Sequence, residues 1–151
     1  MRALLQRVST SQVRVDGLTI GQIEQGLLVL LGVAPDDEMA DREWLIRKIL
    51  NLRIFGDEAG RMNRSVTDIG SGLLVISQFT LFADASRGNR PSFMRSALPE
   101  FAESAYNDFL VKLRQNHTGS VATGRFGANM QVELINDGPV TLLLDSKQKN
   151  F

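Results

Sequence analysis

The run Gly26-Leu27-Leu28-Val29-Leu30-Leu31 contains no polar side chain. A strand with one wet face alternates apolar and polar residues; a run without alternation must be covered on both faces. That requirement constrains the chain most, because material has to pack on each side of one central strand. A second run, Gly72 to Phe79, opens with the same Gly-Leu-Leu-Val. The flanks differ, so the likeness is one of strand chemistry and there is no internal repeat.

The remaining segments supply the covering. Residues 2 to 15 read as a strand whose apolar phase changes between Val8 and Val13, the mark of a bend or bulge. Asp16-Gly17 is a hairpin signal, and Thr19 to Glu24 returns. Pro35-Asp36-Asp37 stops the first buried strand and begins a helix, with Asp36, Asp37 and Glu38 in its first turn and Arg47, Lys48 and Arg53 further on. Leu45, Ile49 and Leu52 give that helix one apolar face. Arg53-Ile54-Phe55 reads as a short strand and Gly56 to Gly70 as an exposed excursion. Asp84 to Phe93 is a polar loop. Pro99 fits the first turn of a second helix with the stripe Phe101, Ala105, Phe109 and Leu113. Val121 to Arg125, Met130 to Ile135 and Val140 to Leu144 are the last strands, and Ser146 to Phe151 reads as a frayed tail. Strands outnumber helices and arrive in neighbouring pairs. The expectation is α+β, with two main helices on a curved, mainly antiparallel sheet or barrel, in one domain over 1–151.

Composition narrows the function. The 17 basic residues match the 17 acidic ones, so no global field draws the chain to nucleic acid or membrane, and such a partner is met by a local patch. There is no cysteine, which removes thiol catalysis, disulfides and thiolate metal sites. The apolar stretch near Arg2 and Arg7 is short for a signal peptide. Leu27 to Ala34 is broken by Gly32 and is too short to span a bilayer; a cytoplasmic protein is expected. His117 is the single histidine, read as a surface or helix-capping residue and not as a base. No Gly-x-Ser-x-Gly elbow, HExxH, EF-hand or P-loop pattern occurs, so neither metal nor cofactor is expected.

Two segments stand out against that thin inventory. A buried strand that ends in Ser77-Gln78-Phe79-Thr80 puts hydroxyls, an amide and fresh backbone N–H groups where its ladder stops. They serve either a turn or an oxyanion site, in which N–H groups near Phe79 and Thr80 stabilise negative charge on an ester carbonyl. Thr80 as a nucleophile would need a base. Asn136-Asp137-Gly138-Pro139-Val140-Thr141 lies between two apolar runs and is either a hairpin turn or a place where Gly138 and Pro139 present bare carbonyls. Arg87, Arg90 and Arg95 around Gly88-Asn89 and Pro91 form either an ordinary charged loop or a patch suited to phosphates. Thr123-Gly124-Arg125-Phe126-Gly127 places an aromatic between glycines, as a core residue or a stacking surface.

Taken together these residues resemble the D-aminoacyl-tRNA deacylases of the bacterial and eukaryotic type. The likeness runs through Leu5-Gln6-Arg7-Val8, Gly26 to Gly32, Arg53-Ile54-Phe55, Met62-Asn63 and Ser77 to Leu81. It continues through Gly88-x-Arg90-Pro91-Ser92-Phe93, Thr123 to Gly127 and Met130-Gln131-Val132, and closes on Asn136 to Thr141. Ser-Gln-Phe-Thr-Leu followed by Asn-Asp-Gly-Pro-Val-Thr is its most specific part. Phe82 and Asn129 depart from the usual pattern beside the motifs, and the tail after Asp145 lies beyond the match.

The resemblance implies a homodimer with active sites at the interface. In it a cis Gly138-Pro139 from one subunit reaches the partner's Ser77 to Thr80 region, and Arg7 helps to hold that motif. Phe126 and Met130 are implied to line the pocket for the terminal adenosine of tRNA, and Arg87 and Arg90 are candidates for its phosphates. The implied substrate is a D-amino acid esterified to that adenosine, with glycyl-tRNA also admitted, and the RNA's own 2′-hydroxyl assists hydrolysis. Handedness must be read at the α-carbon, where D and L exchange hydrogen and side chain. Two carbonyls aimed there accept the α-amino group and leave an L side chain no room. The rivals are a Thr80-nucleophile hydrolase and a non-catalytic RNA-binding or dimerisation module.

Overall fold

A computed structural model describes residues 1–150. The strands are β1 (Arg2–Val15), β2 (Leu18–Ile23), β3 (Gly26–Gly32), β4 (Phe55–Gly56), β5 (Met62–Arg64), β6 (Gly72–Ser77), β7 (Val121–Thr123) and β8 (Gln131–Asp145), with helices α1 (Met39–Asn51) and α2 (Pro99–Asn116). The main sheet runs β2-β1-β3-β6-β7, with β8 on the other side of β1. It curls into a nearly closed barrel: a Cβ placed on Gly21 in β2 would stand 2.5 Å from the Thr123 carbonyl oxygen in β7.

The two apolar runs are neighbours. β3 and β6 pair in parallel, with Gly26 opposite Gly72, Leu27 opposite Leu73, Leu28 opposite Leu74 and Val29 opposite Val75. The repeated Gly-Leu-Leu-Val is thus two copies of one strand chemistry in register. The glycines permit the approach at its start, since a Cβ on Gly26 would lie 1.9 Å from the Gly72 carbonyl oxygen. Within the antiparallel frame, β3-β6 and β6-β7 are parallel pairs. Parallel neighbours need a crossover, and α1 and α2 belong to those two crossovers. Leu27, Val29, Leu31, Leu73 and Val75 face the helices, while Leu28, Leu74 and Ile76 face the barrel interior with Val8, Val13 and Ile23.

β1 shows the expected change of phase as register shifts against β8 on both sides of Val8. Asp16 (φ 50°) and Gly17 (φ 78°) make the tight turn to β2.

Several boundaries differ from the sequence reading. Helix α1 starts later than Pro35, at Met39 behind an N-cap at Glu38, and the acid of its first turn is Asp41. Asp36 and Asp37 lie before it. Asp37 accepts from the Ala34 N–H (2.6 Å) and pairs with the α-amino group of Met1. Burial raises the Asp37 carboxyl above its usual range, more than these partners lower it. The 56–70 excursion contains β5, paired with β4, and Val66 is anchored in the core. In α2 the buried line is Ala102, Tyr106, Phe109, Leu110 and Leu113, and Phe101 remains exposed.

The expected fraying of Ser146 to Phe151 is corrected at its start, while Phe151 lies outside the described residues. Ser146 is buried, its N–H donates to the Met1 carbonyl (2.9 Å), and Lys149 lies 5.3 Å from the Trp44 ring centroid. Lys147 reaches Asp41 at 2.8 Å. Burial pushes the Asp41 carboxyl up, but hydrogen bonds from Lys147 and the Glu38 N–H outweigh it and hold the group at about 2. A carboxylate more acidic when folded than unfolded contributes stability above the unfolded pKa and loses it as pH falls through the folded one. Asp41→Asn is therefore expected to lower stability by about 1–2 kcal/mol at neutral pH. In urea unfolding across a pH series, the gap to the parent should close between about pH 4 and pH 2. A gap independent of pH would remove this account.

Candidate active site

β6 ends at Ser77 because its neighbour β3 is also ending: the Gln78 N–H donates to the Leu31 carbonyl (2.7 Å), and the chain then turns through a 3-10 turn, Phe79–Phe82. The first N–H groups of such a turn have no carbonyl behind them. Phe79 and Thr80 hold those positions, and neither N–H finds an acceptor among the described residues. The Gln78 side-chain amide donates to the Thr80 hydroxyl. Fresh donors at a strand end, expected from the sequence, are present here.

Beside them opens an apolar cavity of about 510 Å³. Ser77, Gln78 and Phe79 form one wall, Phe93 stands edge-on to Phe79 at 5.1 Å between centroids, and Phe126 closes another side. Among the described residues, no carboxylate, imidazole or ammonium lines it. Tyr106, the chain's single tyrosine, forms part of the lining, and sequence reading missed it. Its ring packs 6.0 Å from that of Phe126, and its hydroxyl donates to the Val75 carbonyl (2.8 Å) in the strand that carries Ser77. Burial drives that phenol up to about 12, so it remains a neutral donor. The correct phase of the α2 stripe would have pointed to it, since Tyr106 lies on the buried line and Phe101 does not.

Other candidate residues lie elsewhere in the single chain. Met130 does not join the cavity lining; it packs on the barrel-interior cluster with Val132 and Leu134, against the Cα of Gly124. Because Gly124 has no side chain, the Met130 sulfur fills the space where a Cβ would stand 2.5 Å from it, which the Gly124-to-Met130 spacing alone did not reveal. Arg87 and Arg90 are exposed on a loop closed by the Asp84 and Ser92 backbone pair (2.8 Å each way). Arg95 is turned back to Asp84 at 2.9 Å. His117 is at the C-cap of α2 but is buried, not superficial, and bonds the Ser71 carbonyl through Nε2 (2.8 Å).

Asn136 to Thr141 is not a hairpin. Both apolar flanks pair with the same strand, so β8 continues along β1, with Thr141 opposite Gln6 and Asn136 opposite Val8. Asp137 to Val140 are pushed out opposite Arg7. The Asn136 side chain stands in for the missing ladder: its Oδ1 accepts from the Val140 N–H (2.9 Å) and its Nδ2 donates to the Val140 carbonyl (3.3 Å). Arg7 Nε donates to the Asp137 carbonyl (2.8 Å), and its Nη1 donates to the Ile54 carbonyl. Gly138 and Pro139 sit at the exposed crest, joined by a cis peptide, and do not line their own chain's cavity.

Arg7 thus ties the protruding segment to the loop after α1 with a forked donor that lysine lacks. Arg7→Lys is expected to retain the fold and to lower turnover about 10-fold, and Arg7→Ala about 100-fold. Circular dichroism checks the fold, and steady-state assay on the proposed substrate checks turnover. A fully active Arg7→Ala would show that the clasp is irrelevant to the site.

Comparisons with known proteins agree over the full length. A family model described as D-Tyr-tRNA(Tyr) deacylase matches residues 4–145. A D-aminoacyl-tRNA deacylase of Clostridioides difficile is 56% identical over 98% of this chain and 99% of its own length. One from Thermosipho africanus is 55% identical over the same shares. The solved structure of a c-Myc DNA unwinding element binding protein superposes with a TM-score of 0.92 at 44% identity, covering 96% of this chain and 98% of that one. Matched from the first strand to the last, the chain belongs to the D-Tyr-tRNA(Tyr) deacylase family.

Proposed function

We propose that this chain hydrolyses the ester of D-aminoacyl-tRNA in the cytoplasm, releasing the D-amino acid and leaving the tRNA 3′-hydroxyl free. The observation that carries the reading is the pairing of a donor-rich turn with a cavity at the end of β6 that, among the described residues, is lined by no acid or base. Water adds to the ester carbonyl carbon, and the Phe79 and Thr80 N–H groups receive the negative charge that develops on its oxygen. The bond to the ribose 3′-oxygen then breaks, one proton of the water passes to that oxygen, the other is released to solvent, and the amino acid leaves as a carboxylate. Activation of the water falls to the neighbouring 2′-hydroxyl of the RNA. The terminal adenosine stacks at Phe126, with Met130 supporting the Gly124 segment from the barrel side, and Arg87 and Arg90 meet phosphates further along the acceptor end.

The site is completed in a homodimer, by Gly138 and Pro139 of the partner subunit. Support comes from the exposure of that segment and from its place away from its own chain's cavity. The partner's two carbonyls accept the substrate α-amino group, and an L side chain meets them while a D side chain points away. Glycine has no side chain to reject, so glycyl-tRNA is also cleaved. The deciding experiment compares D- and L-aminoacyl-tRNA carrying the same amino acid. Cleavage of the D ester with the L ester spared is expected. Equal cleavage of both would defeat the handedness filter, and tight tRNA binding without release of amino acid would favour a non-catalytic module.

A further inference from the structure

The turn that carries Phe79 and Thr80 is gripped at its exit by the second residue of the chain. Arg2 lies in register between Gly32 of β3 and Asp145 of β8. Its Nε donates to Asp145 Oδ2 at 2.6 Å, its Nη1 donates to the Leu81 carbonyl at 3.0 Å, and its guanidinium carbon lies 4.7 Å from the centroid of the Phe82 ring. Asp145 is itself fixed, since its Oδ1 accepts from the Lys147 N–H (2.8 Å) and it is almost wholly buried. The Phe82 ring fills the space over Gly32, where a Cβ would come within 3.0 Å. Among the described residues, Arg2 is the only side chain outside the turn that bonds its backbone. At the entry, Gln78 is pinned to Leu31 by the main chain.

We infer that Arg2 is a positioning residue: by holding Leu81 and Phe82 it fixes the direction in which the Phe79 and Thr80 N–H groups point. The inference rests on the reading of those groups as oxyanion donors. A donor aimed at where charge develops contributes in the transition state and little in the ground state, so loss of the grip lowers kcat and leaves KM. Lysine keeps the charge opposite Asp145 but cannot hold Asp145 and Leu81 with one planar fork or stack on Phe82. Asp145→Asn keeps an acceptor for Nε and leaves the bond to Leu81.

The test takes Arg2→Lys, Arg2→Met and Asp145→Asn. It reads kcat and KM on D-aminoacyl-tRNA and, without substrate, the backbone amide NMR shifts of Phe79 and Thr80. Expected are a kcat loss of about 10-fold in Arg2→Lys and up to about 100-fold in Arg2→Met, with KM within about twofold. Asp145→Asn should lose no more than about threefold. The Phe79 and Thr80 amides should move in both Arg2 variants while amides of β2 stay in place. Unchanged kcat and shifts in folded Arg2→Lys and Arg2→Met overturn the inference, and so does a loss in Asp145→Asn equal to that in Arg2→Met. If Arg2→Met does not fold, the Arg2→Lys kcat and shifts decide. A parent that cleaves no D ester would defeat the proposed function, whereas the amide shifts would still decide whether Arg2 sets the turn.

Discussion

Removing the terminal 2′-hydroxyl from an otherwise intact D-aminoacyl-tRNA is expected to slow hydrolysis by about 10²–10⁴-fold, the range that a positioned proton-transfer group supplies. The reason is the absence of any other candidate among the described residues of the cavity lining. The cavity lining offers two serines, an amide and a phenol. The phenol is spent on Val75 and kept in its neutral form by burial, and the amide side chain of Gln78 is engaged with Thr80. The lone histidine serves the end of α2. Thr80 has a hydroxyl but, among the described residues, no base to activate it, and the group it touches, an amide, cannot take its proton. Thr80→Ala should therefore lose no more than about 10-fold, through a displaced Gln78 and a looser turn. Single-turnover assay of parent and variant on both RNAs separates the alternatives. A parent that cleaves the 2′-deoxy ester at full rate, beside an inert Thr80→Ala, would make Thr80 the nucleophile.

How far a sequence discloses such a site depends on whether the chemistry is local. The double-sided burial of Leu27 to Leu31 and Leu73 to Ile76 followed from the lack of alternation, because every residue in such a run reports its own surroundings. That the two runs lie side by side was a long-range fact; only the matched glycines hinted at it, and one glycine pair is too common a signal to decide a sheet order. The donors at Phe79 and Thr80 were legible, since any strand that ends leaves them. The route of Asn136 to Thr141 was not. A hairpin and an outward bulge begin with the same residues, and the difference lies in which strand the second flank pairs with. Here β1 is long enough to take both flanks, and the Asn136 side chain bridges the gap that a turn would have closed. Tyr106 was missed for a smaller reason. Two helical phases one residue apart both look apolar in α2, and the one that packs runs through Ala102 and Tyr106, leaving Phe101 exposed.

Gly138→Ala should abolish most of the activity, about 100-fold in kcat/KM, while the fold stays intact with a melting temperature lowered by about 3–10 °C. Gly138 has φ +152°, and a Cβ there would stand 2.7 Å from the Val140 nitrogen, 2.8 Å from Val140 Cγ2 and 3.3 Å from Arg7 Nη2. Two of these neighbours cannot retreat without consequence. The Val140 N–H is held by Asn136 Oδ1, and the Val140 side chain is buried against the main core. The displacement must therefore be taken up by the crest itself, moving the Gly138 and Pro139 carbonyls while the ladders on either side remain. Because the crest is exposed and packs on little, the fold loses only the local cost of a strained backbone, about 1–3 kcal/mol. Gly60→Ala is the matched control. Gly60 also lies at positive φ (+76°) but has nothing within 4 Å of a Cβ, in the exposed turn before β5, so it should cost similar backbone strain without loss of turnover. Activity should be read on D and L esters together. If the carbonyls gauge handedness, the residual rate in Gly138→Ala should show a smaller preference for D over L than the parent. Full activity with intact preference, in a variant whose crest has demonstrably moved, would show that these carbonyls read nothing.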